Sequence, residues 1–292
     1  MSSPEVRVDG RPVSERTHGA GSGTLHLLAN ELATQFSRRR TWAMLGALAL
    51  IPILMAVAIR VFGGSNPGRG PAFLDQIAGN GLFVGIAATV VAIPLFLPLT
   101  VSVASGDAIA GEASHGTLRY LLIAPAGRVR LLMVKYLAAG AFCVAGTLTV
   151  AGVGTLAGWA LFPIGPVTLL SGAQVSVGEG VARLLAIAAY ASVSLLGLSA
   201  IGLFLSTLTD VPIGAMAATA ILAVTSQIVG AIPQLEAVHP WLFTDRWLDF
   251  ADLLRSPPVW DSFAENALLQ GGYIIVFGLA AILRFVNKDI LS

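Results

Sequence analysis

Charge is what this chain has least of. Only 11% of its 292 residues are charged, against about 25% in an ordinary soluble domain. Hydrophobic residues reach 55% and mean hydropathy is +0.81, so the composition is that of a membrane protein. The net charge of +1 leaves no basic excess for a nucleic-acid partner. Its one cysteine, Cys143, sits within an apolar run, excludes an internal disulfide and reads as a small buried hydrophobe. None of the histidines, His18, His26, His115 and His239, falls inside a long apolar run. That argues against intramembrane proteolysis at the "GLSA" of Gly197–Ala200, because Ser199 would lack a base. Asp107, Glu112 and His115 have no zinc-helix spacing, so neither metal, cofactor nor catalytic residue is expected.

Long apolar runs are present in number. Crossing hydrocarbon takes about 20 apolar residues, and six stretches qualify: 42–62, 81–105, 131–161, 181–206, 211–232 and 266–286. Without water to satisfy backbone groups they must be helices, so the expected fold is an all-α integral membrane protein. The first run is too long for a signal-peptide core and is expected to be retained. No Asp or Glu lies inside any run. An ion-driven carrier needs an ionisable group near the midplane, so the driving energy should come from elsewhere. Arg60, Lys135, Arg183 and Arg284 lie near run ends, where they are expected to snorkel outward.

Small and weakly polar residues fill the runs. Gly81 with Gly85, and Gly154 with Gly158, are spaced for close helix approach. Ser192, Ser194, Ser199, Thr225, Ser226 and Gln227 read as interhelical packing groups before pathway groups. Pro94 and Pro98 should kink the second run, and Pro52 the first.

Six spans put both termini on one side. Twelve Lys or Arg then fall on that side and five on the other, which predicts cytoplasmic termini. Residues 1–23 are polar and expected to be a disordered tail, and 24–292 the membrane domain. Within 24–40, Leu25, Leu28, Leu32 and Phe36 form one helical stripe, with Asn30, Glu31, Gln35 and Arg38 turned away. This predicts an amphipathic helix on the cytoplasmic bilayer surface, anchored by Arg38, Arg39 and Arg40. Between the last two runs, "TDRWLDFADLLR" predicts an outer amphipathic helix capped by Thr244, with Trp247, Phe250, Ala251 and Leu254 on one face.

The connection after the second run is richer than a turn requires. Gly116 should break the chain, Thr117 starts "TLRYLL" with Leu118, Leu121 and Leu122 on one side, and Pro125 ends it. An apolar patch on a cytosolic turn calls for a protein partner, met as a helix in a groove.

Glu112, Gly116-Thr117-Leu118, Leu121-Leu122 and Pro125, with an Arg and a Lys entering the next run, resemble the cytosolic signature of ABC-2 type permeases. These are membrane subunits of bacterial ABC exporters, similar to those of antibiotic and multidrug efflux systems. Such members commonly carry an acid after Thr-Leu, where this chain has Arg119-Tyr120. The resemblance implies that 117–122 is a coupling helix seated in an ATPase subunit, with Glu112 pairing to that partner. It also implies a dimer with a second permease copy or paralogue. Neither Lys135 nor Lys288 follows a glycine, so the chain has no phosphate-cradling motif and ATP hydrolysis would be supplied in trans. The cargo expected from charge-free spans is an amphiphile. A non-transporting membrane scaffold that recruits a cytosolic partner, or an ATP-independent carrier, are the alternatives.

Overall fold

The computed structural model describes residues 20–62, 80–116, 127–168 and 174–287. Five of its helices are long and apolar enough to cross a membrane, or six if one bent pair counts as a single span. Helix α1 covers Ala20–Ser37 and α2 Arg39–Phe62; α3, Leu82–Ala92, and α4, Phe96–Ser114, are the bent pair. Then come α5, Arg128–Leu161, α6, Val177–Leu208, α7, Pro212–Gly230, and α8, Asp261–Val286. This is a helical membrane protein with one addition. Val167–Thr168 and Gln174–Val175 pair antiparallel as a two-residue ladder between α5 and α6.

Local chemistry sets the helix ends. Ser176 caps α6 by accepting from the Glu179 amide at 3.3 Å. Pro212 opens α7 at its first turn, where its missing N–H costs nothing. Gly116 has φ +70°, the left-handed turn that stops α4. Pro94 lies in the break between α3 and α4, whose axes differ by 60°, and Gln227 donates to its carbonyl at 2.6 Å. The expected kink is therefore a full break. Pro52 lies buried within α2.

Helix α6 is the centre of the bundle. Its apolar window is 72% buried, against 17% for α8 and 22% for α2 and α7, whose outward faces are apolar and suited to lipid. It packs against α4, α5, α7 and α8. At the end of α5 remote from Arg128, Gly81 and Gly85 face Gly158 and Gly154. A Cβ on Gly154 would stand 2.6 Å from Gly85 Cα, and one on Gly158 would collide with the Gly81 carbonyl. The two glycine pairs read from sequence thus meet each other. The Gly81 amide also donates to the Pro163 carbonyl at 3.0 Å.

Polar groups in the bundle bond across helices. Thr147 and Ser192 hydroxyls are 2.6 Å apart, and Asn266 donates to Ser194 at 2.8 Å. Gln270 donates to the Phe243 carbonyl at 2.8 Å, and Ser226 meets Thr244 at 2.6 Å. Ser206 accepts from the Ile109 and Ala110 amides at 3.0 and 2.8 Å while donating to the Gly106 carbonyl, stapling α4 to α6.

The segment between α7 and α8 differs from expectation. It forms short 3-10 turns, Pro233–Trp241 and Asp249–Leu254. Phe243, Trp247, Phe250, Leu253 and Leu254 are buried, whereas Ala251 is exposed. The Thr244 hydroxyl goes to Ser226 and caps no helix. Its apolar face packs inward because Tyr190 and Arg183 draw its carbonyls down. Tyr190 donates to the Arg246 carbonyl at 2.6 Å, and Arg183 to those of Leu253 and Arg255 at 2.8 and 2.6 Å. Arg183 is buried and also bonds Glu179, so it holds a loop and does not snorkel.

Candidate functional site

The residues singled out near the amino-terminal helix and after the second run converge at one end of the bundle. Helix α1 begins at Ala20, four residues ahead of the expected boundary, and packs along α5. Its inward stripe is Thr24, Leu27, Leu28, Glu31, Leu32, Gln35 and Phe36. Leu28, Leu32 and Phe36 are on it as expected. Leu25 is 68% exposed, and Glu31 and Gln35 point inward, so the stripe is rotated from the expected one.

The cause of that rotation is an ammonium on another helix. Lys135 is 3% exposed and donates to Glu31 at 2.8 Å and to Glu112. It does not snorkel: two carboxylates from α1 and α4 meet it inside the fold. An isolated buried ammonium would cost several kcal/mol, and its removal from between acids costs as much again, so the three groups act as a unit. Glu112 is therefore occupied within its own chain, where the sequence reading offered it to a partner.

A second ion group borders the first. Arg38 and Arg40 both approach Asp107 Oδ2, at 3.6 and 3.2 Å, and Arg40 also donates to the Val103 carbonyl at 3.0 Å. Arg38 lies in the break after α1, and Arg39 and Arg40 begin α2 instead of extending the interfacial helix. His115, at the end of α4, donates from Nδ1 to the Gly111 carbonyl at 2.6 Å. Between the two ion groups lies a cavity of about 510 Å³, walled by Glu31, Arg38, Arg40, Asp107, Glu112 and Lys135.

Thr117, Leu118, Tyr120, Leu121, Leu122 and Pro125 lie outside the described residues. The feet of that connection do not. One is Glu112, Gly116 and the end of α4; the other is Arg128, which donates to the Val286 carbonyl at 2.7 Å at the end of α8. Among the described residues no group of three or more His, Cys, Asp or Glu side chains could hold a metal.

A family model described as "Protein of unknown function (DUF2705)" matches residues 49–291. The chain belongs to this family. The match takes in Asp107, Glu112 and Lys135 and begins after Glu31, Arg38 and Arg40. No curated protein matches the chain.

Lys135, Glu31 and Asp107 carry the geometry; the sequence marked Lys135 as the lysine entering the next run and gave Glu31 and Asp107 no role in the site. One signal was available. Lys135 is one of two lysines in the chain and stands in an apolar helix, where an ionisable group calls for a named partner.

Proposed function

We propose that the chain is the membrane-spanning permease of an ATP-driven exporter of the ABC-2 type. It has six spans, counting the broken α3–α4 pair as one, both termini in the cytoplasm of a bacterium, and ATP hydrolysis supplied by a separate subunit. The segment 117–122 is its coupling helix, and two permease copies or a paralogous pair enclose the path of an amphiphilic substrate.

The observation that supports this reading best is how both feet of the 117–126 connection are tied. Glu112 binds Lys135, and through it Glu31 of α1, while Arg128 binds the end of α8. A push on this connection reaches the amino-terminal helix, α5 and α8 together, without an ionisable group at the midplane. Glu112 serves as the root that transmits the push, and the apolar side chains Leu118, Leu121 and Leu122 grip the ATPase.

Proteoliposomes holding the permease with its ATPase should move substrate only when ATP is present. Transport by the permease alone would reject the reading. In the double variant Leu118→Asp with Leu122→Asp, ATPase co-purification should fall while membrane insertion stays intact. Unchanged co-purification would remove 117–122 from the coupling role.

A further inference from the structure

The break in the second span leaves a backbone group without its helical partner. Pro94 stands midway along the apolar run 81–105. It has no N–H, so the Val90 carbonyl loses the donor that would close the last turn of α3. Irregular backbone at membrane depth is tolerated where it is buried in protein or lines a cavity that admits water. Here it lines one. A cavity of about 240 Å³ is walled by Ile93 and Pro94, by the end of α7, and by the segment that follows it.

The charge on this wall is of one sign. Helices α3 and α7 both bring their carboxyl-terminal ends to it, through Ile93 and through Gly230 and Ala231. Each such end carries about half a negative charge. Asp245, exposed on the same wall, is in no ion pair among the described residues; Arg246, next to it, is turned to Asp249 and Glu265. Among the described residues no Lys, Arg or His borders the cavity. His239 donates to the Val229 and Ile232 carbonyls behind the wall. One donor is also left over. Trp247 is 2% exposed and forms part of the wall, and its indole N–H has no acceptor among the described residues. A bare cation would leave that donor unmet.

We propose that this cavity binds a small primary amine with a neutral oxygen three bonds from its nitrogen, as glycinamide has. The ammonium lies between Asp245 and the two helix ends, and the oxygen accepts from the Trp247 N–H. Helix ends with free carbonyls at a broken span are a means by which membrane proteins hold cations. A volume below the roughly 300 Å³ of drug-sized sites restricts the ligand to a few heavy atoms. Ala231, Asp245 and Leu248 are exposed, so the cavity is open at the surface. This inference requires neither ATP nor an ATPase, so it stands or falls apart from the transport reading.

The test is isothermal titration calorimetry of the full chain in detergent, at an ionic strength fixed with choline chloride. Glycinamide should bind saturably. Propionamide, which has a methyl group where glycinamide has its ammonium, should not bind. The n-propylammonium ion, which lacks the oxygen, should bind roughly fivefold more weakly. Asp245→Asn, at an exposed position, should weaken glycinamide about fivefold without changing the unfolding temperature. Trp247→Phe should bring glycinamide down to the affinity of n-propylammonium; should that variant fail to fold, Asp245→Asn and the two analogues still decide. Replacing choline by sodium should leave the glycinamide affinity unchanged. Absence of saturable binding, equal binding of propionamide, undiminished binding by Asp245→Asn, or displacement by sodium would overturn the proposal.

Discussion

The two ends of α5 are held by opposite means. Lys135 and Gly158 are 23 residues apart in one helix, about 35 Å along its axis. At Gly158 two backbones touch through glycine, with no side chain between them. At Lys135 three elements meet through long charged side chains around a cavity. Backbone contact permits one geometry, because a packed contact without side chains has no rotamers to exchange. A charged cluster beside a cavity can lengthen, rotate or exchange partners at modest cost. The contrast teaches where this bundle is fixed and where it can answer a push.

The largest way to break the comparison is Gly158→Val. Its side chain meets the Gly81 carbonyl, so destabilisation should reach at least about 3 kcal/mol, measured by unfolding in detergent. Gly152→Val in the same helix, with open space around it, should leave stability nearly unchanged. Equal effects at the two positions would remove the glycine contact as the fixed end.

At the ionic end, Lys135→Met leaves Glu31 and Glu112 together without their cation, a loss of about 3 kcal/mol. Adding Glu31→Gln and Glu112→Gln should recover most of it, because the repulsion then disappears. No recovery would show that Lys135 acts through packing alone.

Neutral polar bonds near the fixed end should matter less. Asn266→Leu removes the bonds to Ser194 and Gln270 and should cost roughly 1 kcal/mol in the same assay.

The smallest effect is in pH. Burial raises the Asp249 carboxyl above its ordinary value, and Asp245, Asp252 and Glu265 add to this while Arg246 opposes it. A raised folded pKa means stability is present at low pH and lost as pH rises through that value. Asp249→Asn should therefore flatten the decline just above the usual carboxylate range and leave the variant slightly more stable at neutral pH. A variant less stable than the parent at neutral pH would reverse the sign.

Much of the fold was legible in sequence because hydrocarbon imposes it. The apolar runs locate the helices, although α4 continues to Ser114, well past the run that ends at Ser105; Gly116 ends α4, and Pro94 marks the break in the second span. The glycine pairs were visible as a spacing, although nothing in a spacing says which pair faces which. The amino-terminal segment is helical as expected, but its inward face is rotated from the expected stripe. Leu25 belongs to an apolar pattern by periodicity, but Glu31 is pulled inward by Lys135, 104 residues away. A charge pair at that separation leaves no local trace. Trp241 and Trp247 differ for a similar reason: one is 74% exposed and the other buried, because Tyr190 of a distant helix holds the Arg246 carbonyl next to Trp247.

The most direct test of the division between a fixed and a responsive end is hydrogen exchange on the chain in nanodiscs. It would be measured with and without the ATPase subunit and ATP. The account predicts changed protection in 24–36 and 128–136, with 82–92 and 151–158 unaltered. A change confined to the glycine contact, or equal at both ends, would contradict it.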